Sequence, residues 1–133
     1  MKIPDDIIEI LEDDTNLKML GTADSNTLNI NLEVVKTVKL IGEDTIIIPS
    51  FNNDNHTLSN IKKNRYISLA VFRPPVIGFK LNGFLKNIDT TDTEKYLKKF
   101  STKPFYEAIA DVVIIKITEI YALSMAISGN KII

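Results

Sequence analysis

Residues 45–72 read TIIIPSFNNDNHTLSNIKKNRYISLAVF, and this stretch decides how the chain is organised. Its two ends are β-branched and aromatic runs, which predict strands over 45–49 and 66–72. Between them lies the polar segment NHTLSNIKKN (55–64), which contains His56, the only histidine of the protein. The segment is either a solvated connection between two strands or a site that holds a ligand.

The residues of this segment predict a short helix with a candidate anion site at its start. Thr57 or Asn55 can cap the helix, and Leu58 and Ile61 then face inward. The first backbone N–H groups of a helix lack partners within it, so together with the Thr57 hydroxyl and the His56 imidazole they could hold a phosphate. A plainer alternative stays open, in which Thr57 only caps the helix and His56 is an exposed turn residue.

The residues before this stretch change from a helical to an alternating pattern. Pro4 and the acidic residues after it predict a first helix, whose apolar face ends near Leu11. LKMLGTA (17–23) predicts a strand, and LNINLEVV (28–35) alternates strictly between apolar and polar residues after a turn at 24–27. We expect the apolar face of this second strand in the core. That face consists of Leu28, Ile30, Leu32 and Val34.

Further strands are predicted on both sides of the central stretch. KTVKLI (36–41) continues as strand and is followed by a turn, and TIIIP is apolar on both faces, which places it centrally in the sheet or against a partner chain. VIGFKLNGFLKNI (76–88) is a long strand in which Gly78 and Gly83 suggest bulges or a bend. A helix over 91–100 and a long strand over 111–123 follow.

These elements predict one domain over residues 1–133, mainly β, built as an antiparallel β-barrel with helical additions. The chain has no cysteine, which excludes disulfides and thiolate chemistry and fits a cytoplasmic protein. No stretch approaches the roughly 20 apolar residues of a membrane span, so we expect no membrane partner. The net charge is −1, and no aromatic residue neighbours Lys36 or Lys39, so we expect no nucleic-acid partner.

Familiar catalytic motifs are missing from the sequence. One histidine and no cysteine leave mainly carboxylates as metal ligands, and the acidic pairs at 5–6 and 13–14 flank a surface helix, so we expect no metal site. No glycine-rich phosphate loop and no G-x-S-x-G elbow occurs. The sequence therefore assigns no catalytic acid, base or nucleophile.

SFNNDNHTLSNIKKNRYISLAVF is similar to a stretch of the pyridoxamine 5′-phosphate oxidase-like, FMN-binding split-barrel family. GTADSNTLNINLEVV resembles the family's first hairpin, GFKLNGFLKNI its long middle strand, and IYALSMAISGNKII its closing strand with a Gly-Lys tail. The resemblance covers the chain from about residue 5 to the C terminus, and it rests on the order and spacing of these segments together.

The resemblance implies a six-stranded antiparallel split β-barrel with two or three short helices, which forms a homodimer with FMN in a groove at the interface. It places the phosphate at the start of the central helix and the flavin ring along the second strand and the end of the fourth. The implied dimer pairs through strands such as TIIIP. The implied cofactor-binding residues are Asn31, Glu33, Val34, Val35, Lys36, Pro49, Ser50, Phe51, His56 and Thr57.

The chain departs from the family pattern at three points. His56 stands where the family has Lys or Arg, and free imidazole, which titrates near pH 6.5, is a weaker cation at neutral pH. Asn64-Arg65 replaces an Asn-Pro pair, and the arginine-rich signature that holds substrate phosphate in true pyridoxamine phosphate oxidases is absent, so that activity is not expected.

The sequence thus predicts an FMN-binding flavoprotein, a small oxidoreductase or electron carrier. The alternative is a split-barrel dimer that binds no flavin, or binds a related cofactor such as a deazaflavin, and acts as a binding or interaction module. The substrate and the electron partner are not indicated by any residue pattern.

Overall fold

The computed structural model describes residues 1–50, 56–74, 77–89, 111–123 and 131–132. These residues form one antiparallel sheet of seven strands, in the order β2-β1-β5-β6-β7-β4-β3, with two helices. The elements are α1 (Asp5–Glu12), β1 (Leu17–Ala23), β2 (Ile30–Val35), β3 (Lys39–Leu40), β4 (Thr45–Ser50), α2 (His56–Asn64), β5 (Tyr66–Arg73), β6 (Ile77–Asp89) and β7 (Asp111–Ala122).

The mainly β architecture with helical additions is confirmed, with one strand more than the six that the resemblance implies. The difference in strand number is minor, because β3 has only two residues. The sheet is not closed, since β2 and β3 lie at the two ends of the strand order. None of the described helices is long and apolar enough to cross a bilayer.

The core lies on the inner face of the sheet, under the two helices. One row of cross-strand partners shows how it is built, because Leu20, Leu69, Leu81 and Ile120 lie side by side on β1, β5, β6 and β7. All four are at most 3% exposed. The helices close this face with an apolar stripe each: α1 buries Ile7, Ile10 and Leu11, and α2 buries Leu58 and Ile61, as predicted.

Lys18 is a charged residue at an inward position of β1, and its side chain is fully buried. Its Nζ donates to the Asp13 carbonyl oxygen at 2.7 Å and to that of Asn16 at 3.3 Å. These bonds hold the loop between α1 and β1 onto the strand. Burial lowers the pKa of the Lys18 ammonium group, since a low-dielectric environment disfavours its charged form.

Strand β4 contains the TIIIP segment and is the sixth of the seven strands in the sheet order, so the prediction of a central position is wrong. It pairs with β7 over its whole length and with β3 at Ile46 and Ile47, which are both fully buried although they point to opposite faces. The chain therefore covers both faces of this strand by itself. A dimer contact is not needed to explain its apolar character.

Strand β2 is turned the other way from the prediction. Ile30, Leu32 and Val34 are 63–68% exposed, and Leu28, which precedes the strand with a positive φ of 62°, is 72% exposed. Alternation separates the two faces of a strand but does not say which one is inside, and a shift of one position inverts the assignment. Here the polar face points inward because Asn31 has a hydrogen-bond partner on α2.

Other details of the sheet also depart from expectation. The predicted strand over 36–41 is reduced to β3, although Val38 is fully buried. Gly83 lies at a break in the β6–β7 register, as predicted, whereas Gly78 pairs regularly with Phe72 and instead lies close under the Leu123 carbonyl. The predicted helix over 91–100 lies outside the described residues.

Arg65 explains one departure from the family pattern. Its φ is 59°, the left-handed conformation that often follows a helix end, and a proline at this position could not adopt it because its ring fixes φ near −65°. Arg65 holds this conformation between two elements. Its N–H donates to the Ile61 carbonyl at 2.9 Å, and its guanidinium Nη2 donates to the Leu85 carbonyl at 2.7 Å.

We predict that Gly83→Ala destabilises the protein while Gly42→Ala does not. A Cβ at Gly83 would overlap the Lys116 carbonyl oxygen of β7, and overpacking of this kind costs about 1–3 kcal/mol or more. At Gly42 the nearest atom to an added Cβ is 3.8 Å away, an ordinary contact. Urea denaturation of both variants measures this, and equal stabilities would contradict the close packing of β6 on β7 at the bulge.

Candidate functional site

The start of α2 lies against the polar face of β2. The Asn31 side-chain amide donates to the Thr57 hydroxyl oxygen at 2.9 Å, and Thr57 is only 4% exposed. His56, the first residue of the helix, is exposed. Because Leu58 and Ile61 are held in the core, the helix has little freedom to rotate. The Thr57 hydroxyl is thus fixed at the helix N terminus, next to the strand that the sequence predicts to carry the cofactor.

A second hydrogen bond anchors the same helix to β1. The Asn60 side-chain amide donates to the Thr22 hydroxyl oxygen at 3.1 Å, and both residues are buried. Sequence reasoning missed this pair. The sequence feature that could have revealed this pair is Thr22, a polar residue at an inward position of β1. The other inward positions of this strand are Lys18 and Leu20.

The structure distributes the predicted site residues over several places. Asn31, Glu33 and Val35 share the inner face of β2, and Val34 lies on its outer face. Pro49 is buried in β4, and the backbone of Ser50, the last residue of that strand, pairs with Asp111. The remaining predicted residues are Lys36, which is exposed just after β2, His56 and Thr57 at the start of α2, and Phe51, which lies outside the described residues.

Among the predicted site residues, a direct hydrogen bond joins Asn31 to Thr57. Strand β4 is separated from β2 by several strands in the sheet order. The part of the site formed by β2 and α2 is therefore assembled within one chain. The contribution expected from the end of β4 stays a prediction.

The charge at the start of α2 suits an anion. A helix N terminus carries partial positive charge, and the first turn of α2 contains no acidic residue. Lys62 and Lys63 lie in the last turn, at the opposite end, so His56 is the cationizable side chain of the first turn. Within the described residues, no group of three or more His, Cys, Asp or Glu side chains could hold a metal ion.

The outer face of the sheet carries a groove of about 680 Å³. One wall is apolar and consists of residues on β1, β2 and β5, among them Met19, Ile30, Leu32 and Phe72. The opposite end is polar and consists of Lys80 and Asn82 on β6 with Thr118 and Glu119 on β7. Neither the alternation of the strands nor the resemblance predicts this groove, because it depends on which face of β2 points outward.

A network of polar side chains surrounds Glu119 at this end of the groove. The Lys131 Nζ lies 3.2 Å from the Glu119 carboxylate, and the Tyr121 hydroxyl donates to the same carboxylate at 3.0 Å. The hydrogen bond from Lys131, followed by that from Tyr121, lowers the pKa of Glu119, and the same bond to Glu119 raises the pKa of Tyr121. Glu119 is therefore an ionised acceptor at neutral pH.

Comparison with solved structures identifies the fold. HupZ from Group A Streptococcus aligns with a TM-score of 0.74 and 21% identity over 96% of this chain and 99% of that one. An FMN-binding protein from Syntrophomonas wolfei aligns with a TM-score of 0.74 and 20% identity over 90% and 88% of the two chains. A protein described as an F420 reductase aligns with a TM-score of 0.68 and 16% identity over 89% and 98%.

Other similar structures carry pyridoxamine 5′-phosphate oxidase in their descriptions. No protein-family model and no curated protein matches the chain. The resemblance to the pyridoxamine 5′-phosphate oxidase-like split-barrel proteins is thus confirmed at the level of the fold. At identities this low the likeness does not extend to activity.

We predict that Asn60→Ala lowers the free energy of unfolding by about 1–3 kcal/mol, because it leaves the buried Thr22 hydroxyl without its donor. Ser59→Ala, an exposed position on the same helix, is the control and should change stability by less than about 0.5 kcal/mol. In the double variant Thr22→Ala, Asn60→Ala the second change should cost less than it does alone. Additive effects in this cycle would show that the two side chains do not interact.

Proposed function

We propose that the protein binds a flavin-type cofactor, FMN, with its phosphate at the start of α2. The observation that carries this proposal is the Asn31–Thr57 hydrogen bond, which fixes a buried hydroxyl at a helix N terminus beside β2. Helix N termini favour phosphate because their backbone N–H groups are unpaired and their dipole is positive. A fold shared with an FMN-binding protein supports the same assignment.

The residues present fit an anionic group, and their role would be to bind and orient. Asn31 donates to Thr57 and so sets the direction of its hydroxyl, and His56 supplies an exposed imidazole beside it. β2 lies at one end of the strand order, so a ligand can extend from α2 past this strand toward the outer face. Glu33, Val34, Val35 and Lys36, with Pro49, Ser50 and Phe51, are proposed to line the ring.

The flavin, when bound, supplies the redox chemistry, and the protein supplies capture of the phosphate and partial shielding of the ring. We therefore place the protein among small oxidoreductases or electron carriers, without assigning a catalytic acid or base. We propose a cytoplasmic location on the absence of cysteine from the sequence.

We propose that the protein is a homodimer, and the outer apolar face supports this. We define that face as Leu17, Met19, Ile30, Leu32, Val34 and Phe72, which are neighbours across β2, β1 and β5. Leu32 and Val34 are 63% and 65% exposed, and contiguous apolar surface of this kind marks an interaction site. A second copy on this face would bury β2 and place the proposed cofactor site next to the interface.

A second candidate function is a split-barrel dimer that binds no FMN. The observation in its favour is His56, an exposed imidazole where the family has a permanent cation. A deazaflavin is a related option, since a protein described as an F420 reductase has the same fold.

Absorption spectroscopy of the natively purified protein tests the proposal. We expect the two visible flavin bands, or their appearance with quenched flavin fluorescence after FMN is added to colourless protein. Protein that is colourless and takes up no added FMN would contradict the proposal. Uptake of F420 in its place would favour the deazaflavin option.

We predict that FMN binds less tightly to the wild type than to His56→Lys, by up to about fivefold at neutral pH, the factor of an exposed ion pair. His56→Gln removes the cationizable group and should bind FMN less tightly than the wild type. Identical affinities in all three proteins would contradict a role for His56 in the phosphate site.

We predict that Leu32→Glu converts the dimer into a monomer, because it places a charge in the outer apolar face, where Leu32 is 63% exposed in one chain. Sedimentation equilibrium measures the outcome. Ser25→Glu, in the exposed turn after β1, adds the same charge away from that face and should stay dimeric. A monomeric wild type, or a Leu32→Glu variant that stays dimeric, would contradict the interface.

A further inference from the structure

The groove on the outer face has a floor of small residues between two different walls. The strand registers place Met19, Ala70, Lys80 and Tyr121 in one row across the sheet, and Gly21, Ser68, Asn82 and Glu119 in the next. The small residues of the floor are Ala70 in the first row and Gly21 with Ser68 in the second. This sequence of side chains produces the concave shape, because larger residues stand on both sides of the floor.

The polar wall, which consists of Lys80, Asn82, Thr118 and Glu119, contains several hydrogen bonds that its side chains make with other side chains or with the backbone. The Ser68 hydroxyl donates to the Asn82 side-chain oxygen at 2.7 Å, and the Thr118 hydroxyl donates to the Asn82 backbone oxygen at 3.2 Å. The Glu119 carboxylate is already occupied by Tyr121 and Lys131. These polar groups are thus hydrogen-bonded or ion-paired to one another.

Lys80 differs from the other residues of the polar wall, because it has no ion-pair partner among the described residues. Its Nζ lies 4.7 Å from the centroid of the Tyr121 ring, and among the described residues no carboxylate lies within ion-pair distance of it. The stack on the ring fixes the position of the ammonium group without neutralising it. Glu119 is paired with Lys131, which lies beside the groove, so the positive charge of Lys80 is not needed to balance that carboxylate.

We infer that the groove binds an apolar organic anion, with its negative group on Lys80 and its body over Gly21 and Ala70 against Met19 and Phe72. A volume of about 680 Å³ is in the range of pockets that hold small organic molecules, and such pockets combine apolar walls with a few placed polar groups. Carboxylate is the simplest group that pairs with a single ammonium.

The inference deepens the proposed function, because the ligand would be the substrate that the bound cofactor meets at the interface. Only this role as substrate rests on the proposed function; the binding itself depends on the groove alone. Met19 and Phe72 also belong to the outer apolar face, so the second copy proposed above would close over the apolar body of the ligand. The Lys80 end lies on β6, outside that face.

The test uses two probes with the same apolar body, naphthalene-2-carboxylate and the neutral 2-naphthalenemethanol. Both are titrated into the ¹⁵N-labelled protein and followed by NMR, which gives the affinity and the location together. We expect the carboxylate to bind about tenfold more tightly, the contribution of a hydrogen bond to a charged group. The amides of Gly21, Ser68, Ala70 and Lys80 should shift.

Lys80→Met keeps the length of the side chain and removes its charge, so it should bind both probes equally. Lys62→Met removes an exposed lysine of α2, outside the groove, and should behave as the wild type. Equal binding of the two probes to the wild type would overturn the inference. So would a preference for the carboxylate that survives in Lys80→Met, or shifts confined to residues outside the groove.

An FMN titration of the same proteins separates this inference from the proposed function. Lys80→Met should leave FMN affinity unchanged, and FMN should not displace the carboxylate from the groove. Displacement would overturn the assignment of the groove to a substrate. If the protein prefers the carboxylate through Lys80 but takes up no FMN, anion binding in the groove is supported and only the proposed flavin binding is contradicted.

Discussion

The geometry of the candidate site depends on how α2 packs against β1 and β2. Leu58 and Ile61 hold the helix in the core, and two amide-to-hydroxyl bonds, Asn60 to Thr22 and Asn31 to Thr57, fix its rotation and its N-terminal end. A buried hydroxyl without a partner costs free energy, so each bond penalises any other placement of the helix. This packing of α2 therefore places the start of the helix beside β2.

The same packing of α2 accounts for the orientation of β2. Asn31 must point inward to reach Thr57, and in a strand this turns Ile30 and Leu32 outward. The apolar residues that the helix leaves uncovered form the outer apolar face and one wall of the groove. One local polar contact thus couples the proposed phosphate site on one side of the strand to the proposed dimer surface on the other.

Much of the fold was predictable, because it follows from patterns that are local in sequence. The strands at 17–23 and 66–72 and the helix with Leu58 and Ile61 inward follow from burial periodicity. The inward face of β2 was not predictable from alternation, since Leu32 and Asn31 are equally consistent with either choice until α2 is placed. Lys18 was missed for a related reason, as its partners are carbonyl oxygens and leave no mark in the sequence.

The site was predictable only in part. Thr57 was predicted as a possible cap, but α2 begins at His56, so Thr57 is the second residue of the helix. Its partner Asn31 lies far away in the sequence, and the resemblance supplied it only as a residue near the flavin ring. The Lys80 end of the groove was not predicted from the sequence, because it is formed by cross-strand neighbours on three different strands. Contacts of this kind depend on register, which side-chain alternation does not specify.

We propose that the start of α2 holds the cofactor phosphate. Dissociation constants for FMN and riboflavin, which differ only in that phosphate, test it most directly by calorimetry. We predict that FMN binds at least about tenfold more tightly, the factor expected for a charged hydrogen bond. We also predict that Thr57→Val, which removes the hydroxyl and nearly keeps the shape, reduces this difference. Equal affinity for FMN and riboflavin would contradict a phosphate site at the start of α2.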